Sequence, residues 1–484
     1  MTSQHGVFVD AGAAFVAGRW ILAGPGPRER RSPHDLDRVA SVWSDGAGWI
    51  DQAVEEARSA QRVWRRASLD ERFAVMDAFA RAIEEDAAVL ASVIVAEVGK
   101  TGREARSEVA ATASKWPATK AIAARELQRR QPLPDAFYDL IPLGVIAVIG
   151  PFNFPIHLSN GHIMAALVAG NSVILKPSES APASAARYVR CWERAAAASG
   201  APAALLQLVQ GPGTTGALLA GNPGIDGVAF TGSYPVGVSL LTANAAQTGK
   251  LIALELGGKN TSIVLADAPL DVAVDSVVAS VIATTGQRCT CTSRMVVDEA
   301  VADAVVSAVA DRLRSVVPGD PEDESTPFGP LATESGHAGF VEAQQQLEGL
   351  ESLVVGGAIE RNRRGYWVRP AMHRVTDVAV AAPRIERELF GPELLVEVVR
   401  GEEAAVSRAN ATPYGLAMSL FTGDLSRFER LRTELDAGLV QWNRPTVGAS
   451  ALLPFGGVKR SGNHRPAGAA ALLQFVRPLA SMTG

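Results

Sequence analysis

Beyond Pro142, short unbroken apolar runs alternate with stretches of helical pattern, and few architectures accept that alternation. Residues 143–149 read Leu-Gly-Val-Ile-Ala-Val-Ile and end at Gly150-Pro151. A run with no polar alternation predicts a strand covered on both faces, as in a parallel sheet. A helix is predicted over 161–168, then a strand over 171–175, a helix over 182–199, a strand over 206–209, a helix over 214–220 and a strand over 227–230. Pro182 suits a first helical position, where its missing N–H costs nothing. Strands joined by such helices form βαβ units, so the expected class is α/β with a twisted parallel sheet. Runs at 261–265, 295–297 and 394–398 predict a second α/β unit. Upstream, 13–20 reads as one short strand. The stretch 49–109 reads as helix, with apolar residues at 50, 54, 57, 60, 63 and 64, a restart at Leu69 and a stop at Gly99.

Composition narrows the function classes. The chain has 484 residues and a net charge of −5, with 47% hydrophobic and 20% charged residues. Those values exclude a disordered or collagen-like chain. A weakly acidic protein has no global attraction for nucleic acid or an anionic membrane, so neither is an expected partner. The run 143–149 is far short of the roughly 20 residues a bilayer span needs, and residues 1–10 carry no basic region leading into an apolar stretch. Three cysteines cannot build a disulfide framework, which points to a reducing, cytoplasmic setting.

Each cysteine therefore needs its own explanation. Cys191 lies in a helical pattern and reads as packing. Cys289 and Cys291 lie in Gly-Gln-Arg-Cys-Thr-Cys-Thr. A Cys-x-Cys pair can hold metal, but neither the other cysteine nor the seven histidines complete a tetrahedral set, so no metal is expected. A nucleophilic thiol is the better reading, with Arg288 placed to stabilise the thiolate. A bond between Cys289 and Cys291 would have poor geometry at this spacing. Four polar or glycine-rich tips follow four predicted strands: Gly150-Pro-Phe-Asn153-Phe-Pro, Lys176-Pro-Ser-Glu179, Phe230-Thr-Gly232-Ser233-Tyr-Pro-Val-Gly237, and Glu255-Leu-Gly-Gly-Lys-Asn. In open α/β sheets ligands bind at such carboxyl ends.

These motifs, with Glu388-Leu-Phe390-Gly-Pro, Pro454-Phe-Gly-Gly and the 34-residue spacing from Glu255 to Cys289, resemble the NAD(P)-dependent aldehyde dehydrogenase superfamily nearly end to end. The resemblance implies an aldehyde dehydrogenase-like fold with a Rossmann-type nucleotide domain, an α/β catalytic domain and a small oligomerisation element. It implies Cys289 as nucleophile, Glu255 as general base and the Asn153 amide with the Cys289 backbone N–H as oxyanion donors. For the cofactor it implies a glycine turn from Gly232 and Ser233 to Gly237 beside Phe230, Lys176 and Glu179 on the adenine ribose, and Glu388 with Phe390 at the nicotinamide ribose. A carboxylate at position 179 repels a 2′-phosphate, which favours NAD while leaving NADP possible.

Finer similarity, in Asn153-Phe-Pro-Ile-His157-Leu-Ser-Asn-Gly-His162 and Ser461-Gly-Asn-His-Arg-Pro466, is to the N-succinylglutamate 5-semialdehyde dehydrogenase subgroup. Lys259 departs from the Asn that the subgroup tends to have there, so a related amino-acid-derived semialdehyde is also open. His157, Arg288 and Arg444 are the candidate substrate contacts, because guanidinium grips carboxylate at two points. Two rival readings are a CoA-acylating or reductive enzyme, and a catalytically silent structural homologue. The expected division is 1–118 for the N-terminal helical part of the cofactor domain and 119–142 for the oligomerisation element. The NAD-binding core is then 143–254, the catalytic domain 255–455 and the C-terminal tail 456–484. The resemblance further implies a homodimer or homotetramer.

Overall fold

The computed structural model describes residues 8–22, 24 and 26–483. The reading of a missing leader rests on residues 1–10, of which 1–7 lie outside the described residues. Val145–Ile149 is buried along its whole length and pairs in parallel with Ser172–Lys176 on one side and Gly227–Thr231 on the other. That double pairing is the physical content of its unbroken apolar run. Leu251–Glu255 lies beyond Gly227–Thr231, and Leu206–Val209 beyond Ser172–Lys176. From Val145–Ile149 the chain first builds outward on one side and later on the other. The order therefore reverses between Val145–Ile149 and Gly227–Thr231, the switch point at which such sheets open a crevice.

The register aligns the tips. Ile149 is opposite Lys176 and Phe230, and Thr231 is opposite Glu255. All four loops singled out above therefore leave the sheet along one edge. The 13–20 segment is not the single strand expected. It forms a hairpin of Ala14–Val16 and Arg19–Ile21, reversed at Ala17 and Gly18, which both have positive φ, and it extends this sheet to seven strands. The period-two pattern did not show the reversal, because it continues through the turn.

A second seven-stranded sheet contains Asn260–Val264, Thr292–Asp298, Glu393–Val399 and Ala417–Phe421 among its parallel strands. Asn260 and Thr292 pair at its amino edge, within a few residues of Glu255 and Cys289. The carboxyl edge of one sheet thus faces the amino edge of the other, and the site lies between them.

Helices Ile50–Trp64, Leu69–Glu85, Ala87–Val98 and Gly102–Glu126 cover the first sheet and its neighbours. Ser68 and Glu71 close a reciprocal capping box at the second, and Gly99 at φ 76° ends the third. The fourth helix runs on to Glu126. The antiparallel piece expected over 119–142 therefore starts only at Arg130, with Arg130–Leu133 and Ala136–Pro142. Val476–Met482 completes it, pairing from Val476 opposite Pro142 to Met482 opposite Ala136. Cys191 is buried in the largest core cluster beside Trp192, whose ring stands edge-on to Phe79 at 5.4 Å. Packing is its role.

Candidate active site

One cavity of about 820 Å³ runs along the carboxyl edge of the first sheet, from Lys176 and Glu179 to Cys289. Asn153, Phe230, Gly232, Ser233, Glu255, Glu388 and Phe390 are also in its walls. Sequence reasoning therefore placed ten of its eleven catalytic and cofactor candidates on a single surface.

Gly237 is the exception. It sits one turn into helix Tyr234–Asn244 and faces the protein, where a Cβ would come within 2.8 Å of Leu256. The absent side chain lets the helix approach the strand end. The same helix begins directly after Ser233, with a proline in its first turn, so its free N–H groups open on the cavity.

The cavity suits a dinucleotide at both ends. Lys176 is nearly buried, and its ammonium lies 3.5 Å from the Glu179 carboxylate. At the other end the Gly258 N–H donates to Glu388 Oε1 at 2.9 Å. Gly257 forms the floor under that carboxylate, and any Cβ there would overlap it. Burial lifts the Glu388 carboxyl to about 7, opposed by the Gly258 N–H and by Lys259. Phe390 adopts a left-handed backbone at φ 54° and meets Phe152 edge-on at 5.9 Å.

Asn153 is 4% exposed and donates one amide hydrogen to the Gln287 carbonyl at 2.8 Å. That bond orients the side chain and leaves a second hydrogen for a ligand oxygen. Glu255 ends its strand with Oε1 accepting from the Ala467 N–H at 3.2 Å, while Oε2 has no partner among the described residues. Burial holds its carboxyl well above the usual range. Burial also pushes the Cys289 thiol upward, and the Glu388 and Glu255 carboxylates add to that, against its own backbone N–H.

Arg288 does not do what its position in the sequence suggested. Its guanidinium is 3.0 Å from Glu104 and donates to Thr284 Oγ1 at 2.9 Å. Its charge is paired there. The same pairing removes it as a free anchor for a substrate carboxylate. Arg444 is exposed, with its carbonyl held by Ser419. His157 is partly buried, its Nδ1 has no partner among the described residues, and burial with Lys115 and Lys100 holds its pKa well below the usual imidazole value. Cys291 is buried, and its Sγ lies 3.3 Å from the Ala283 carbonyl. No disulfide joins it to Cys289.

Two positioning residues escaped the sequence reading. Asn260 Nδ2 bridges the carbonyls of Cys289 and Cys291 at 2.7 and 2.8 Å. Glu104 Oε1 receives the backbone N–H and hydroxyl of Thr284 as well as Arg288. Thr284, Thr285 and Gly286 all have positive φ, so the approach to the nucleophile is a strained left-handed run. Only the placement of Asn260 within Gly-Gly-Lys-Asn hinted at either residue.

Residues 20–479 match the Aldehyde dehydrogenase family. The chain belongs to the aldehyde dehydrogenase family. It is 37% identical over 473 residues to N-succinylglutamate 5-semialdehyde dehydrogenase of Escherichia coli O9:H4, covering 97% of this chain and 95% of that one. Betaine aldehyde dehydrogenase from Staphylococcus aureus, solved with NAD+, superposes with a TM-score of 0.90 at 27% identity, covering 97% and 94% of the two chains. A 3,6-anhydro-L-galactose dehydrogenase solved with NADP gives 0.90 at 29%, covering 97% and 99%. This aldehyde dehydrogenase is an NAD(P)-dependent oxidoreductase with the family's mixed α/β fold. Among the described residues, no helix is long and apolar enough to cross a membrane.

Proposed function

We propose that this enzyme oxidises an acidic, amino-acid-derived semialdehyde such as N-succinylglutamate 5-semialdehyde to the acid, with NAD as the preferred acceptor. The observation that carries the reading is the meeting of Cys289, Glu255 and Asn153 on one cavity wall, in a chain whose similarity to a semialdehyde dehydrogenase covers 97% of its length.

Cys289 Sγ adds to the aldehyde carbon after its proton has passed to solvent water, and the carbonyl becomes an oxyanion. The free Asn153 amide hydrogen and the Cys289 backbone N–H receive that charge, and losing one such donor costs about 2.7–4 kcal/mol of barrier. NAD, when bound, supplies the hydride acceptor that turns the thiohemiacetal into a thioester. Lys176 and Glu179 would hold its adenine ribose, the turn at Gly232 and Ser233 its phosphates, and Glu388 its other ribose. The unpartnered Glu255 Oε2 then takes a proton from water, which attacks the thioester and releases the acid and the thiol. General-base help of this kind is worth roughly 10²–10⁴-fold. That free oxygen also favours hydrolysis over acyl transfer to CoA.

Arg444, exposed and without a carboxylate partner among the described residues, is a candidate outer contact for an acidic substrate. The edge strand Val476–Met482, with Leu479 and Met482 exposed, is the surface through which we place a homodimer or homotetramer. A cytoplasmic location fits the three free thiols. The deciding assay follows NADH formation from a panel of acidic and neutral aldehydes, with and without CoA. Wild type is expected to favour acidic semialdehydes without CoA, and Cys289→Ala to form no NADH. NADH formation by the variant at the wild-type rate would refute the thiol mechanism.

A further inference from the structure

Behind Asn153 lies a buried group of charges that the chemistry above does not use. Helix Gly102–Glu126 supplies Glu104, Glu108 and Lys115 to it. Glu104 is claimed by Arg288 at 3.0 Å. Glu108 is claimed by Lys100 at 2.7 Å, in a pair whose side chains are fully buried, and by the N–H groups of Ile156 and His157. Two carboxylates thus answer three cations, and Lys115 is the cation left over. Its ammonium donates to one acceptor, the His157 carbonyl at 2.8 Å, and an ammonium has three hydrogens to give.

Geometry turns this surplus toward the substrate. Gly161 makes room for the ammonium, since a Cβ there would lie 2.9 Å from Nζ. The Phe154 ring adjoins both groups: Lys100 Nζ is 3.4 Å from its centre, Arg288, the neighbour of Cys289 in sequence, 5.2 Å, and the His157 ring 6.0 Å. Phe154 and His157 are not among the residues that line the dinucleotide cavity, whereas their neighbours Asn153 and Leu158 are. His157 Nδ1 is a second polar atom there without a partner among the described residues.

We propose that Lys115, with His157 beside it, forms the subsite that receives a carboxylate of the substrate and sets the preference for acidic aldehydes. The proposal rests on the acidic-substrate reading above and names the residue that enforces it. The histidines His157 and His162 are held neutral by burial and by Lys115, so they add no competing charge. Burial lowers the Lys115 ammonium itself to about 8, with Glu108 opposing the shift. Carboxylate binding should therefore fade as pH rises past that value.

The test compares N-succinylglutamate 5-semialdehyde with butanal on the full-length enzyme with NAD. Lys115→Met is expected to raise KM for the acidic aldehyde roughly tenfold or more, with kcat and the butanal KM within about threefold of wild type. Lys115→Arg is expected to keep the preference. In wild type the ratio of the two KM values should climb above pH 8, and in Lys115→Arg it should stay flat. A preference for the acidic aldehyde that survives in Lys115→Met overturns the role of Lys115 alone. An equal rise in both KM values does the same, because it would report a displaced helix rather than a lost anchor. A wild-type enzyme indifferent to the carboxylate overturns the substrate reading and the subsite together.

Discussion

Glu388 shows how one residue's surroundings set a measurable property of the enzyme. Its carboxyl is lifted to about 7 by burial, against the Gly258 N–H and Lys259. Only the ionised form accepts from two ribose hydroxyls at full strength. Ligand hydroxyls therefore pull the proton off, and NAD affinity should rise with pH up to about 7 and level out above it. Calorimetric titration from pH 5.5 to 8.5 checks this, with Glu388→Gln expected to be flat and weaker by about 1.5–3 kcal/mol at the upper end. Lys259→Gln should move the midpoint upward, since its ammonium favours the ionised carboxylate. At this scale the sequence was legible in which residues meet, since Cys289, Glu255, Asn153 and Glu388, singled out by residue type and motif, all line one cavity. It misled at Arg288, because adjacency to Cys289 says nothing about a carboxylate 184 positions away. Asn260 was hidden for a related reason, since it acts on carbonyls that every residue possesses.

Among the elements, the left-handed run at Thr284–Gly286 bears most directly on rate. Non-glycine residues in that conformation cost of order 1–3 kcal/mol each and persist only where their neighbours hold them. Here the hold comes from Glu104 on Thr284, from Thr285 Oγ1 on the Gly329 carbonyl, and from Gln287 Nε2 on the Thr284 carbonyl. Glu104→Gln is expected to slow acylation of Cys289 about 10–100-fold, through a loop that no longer presents the thiol, while NAD affinity stays unchanged. Pre-steady-state NADH bursts and NAD titration separate the two effects, and equal losses in both would contradict this account. The brace at Glu97 follows the same logic. Its carboxylate accepts from the Ala183 and Ser184 N–H groups and so caps helix Pro182–Ser199 from a distant segment. The strands and helices expected over 143–230 were placed within a few residues because burial writes itself into apolar runs, whereas the strands Arg28–Ser32 and Asp35–Trp43 were not foreseen. The hairpin at Ala14–Ile21 and the length of helix Gly102–Glu126 were not, because both depend on one or two turn or helix-end positions rather than on a periodic pattern.

For the molecule as a whole, the decisive arrangement is the carboxyl edge of one sheet against the amino edge of another, with the C-terminal segment folded across the join. Glu255 belongs to the first sheet, yet its backbone bridges Gly462 and its carboxylate is held by the Ala467 N–H. Ala467→Pro removes that donor. It should lower the deacylation rate more than the acylation rate, leaving an acyl-enzyme that mass spectrometry can detect, whereas a uniform loss of folded protein would argue against so local a role. No reading of the linear pattern could have linked these segments, because nothing in Ala467 marks it as a partner of Glu255. The contact spans 212 positions. At roughly 5–20 residues per second of synthesis, that separation is on the order of 10–40 seconds. The ribosome therefore makes Cys289 and Glu255, the proposed nucleophile and base, well before the Ala467 amide that holds the Glu255 carboxylate, and on that proposal hydrolytic turnover must wait for residues around 467.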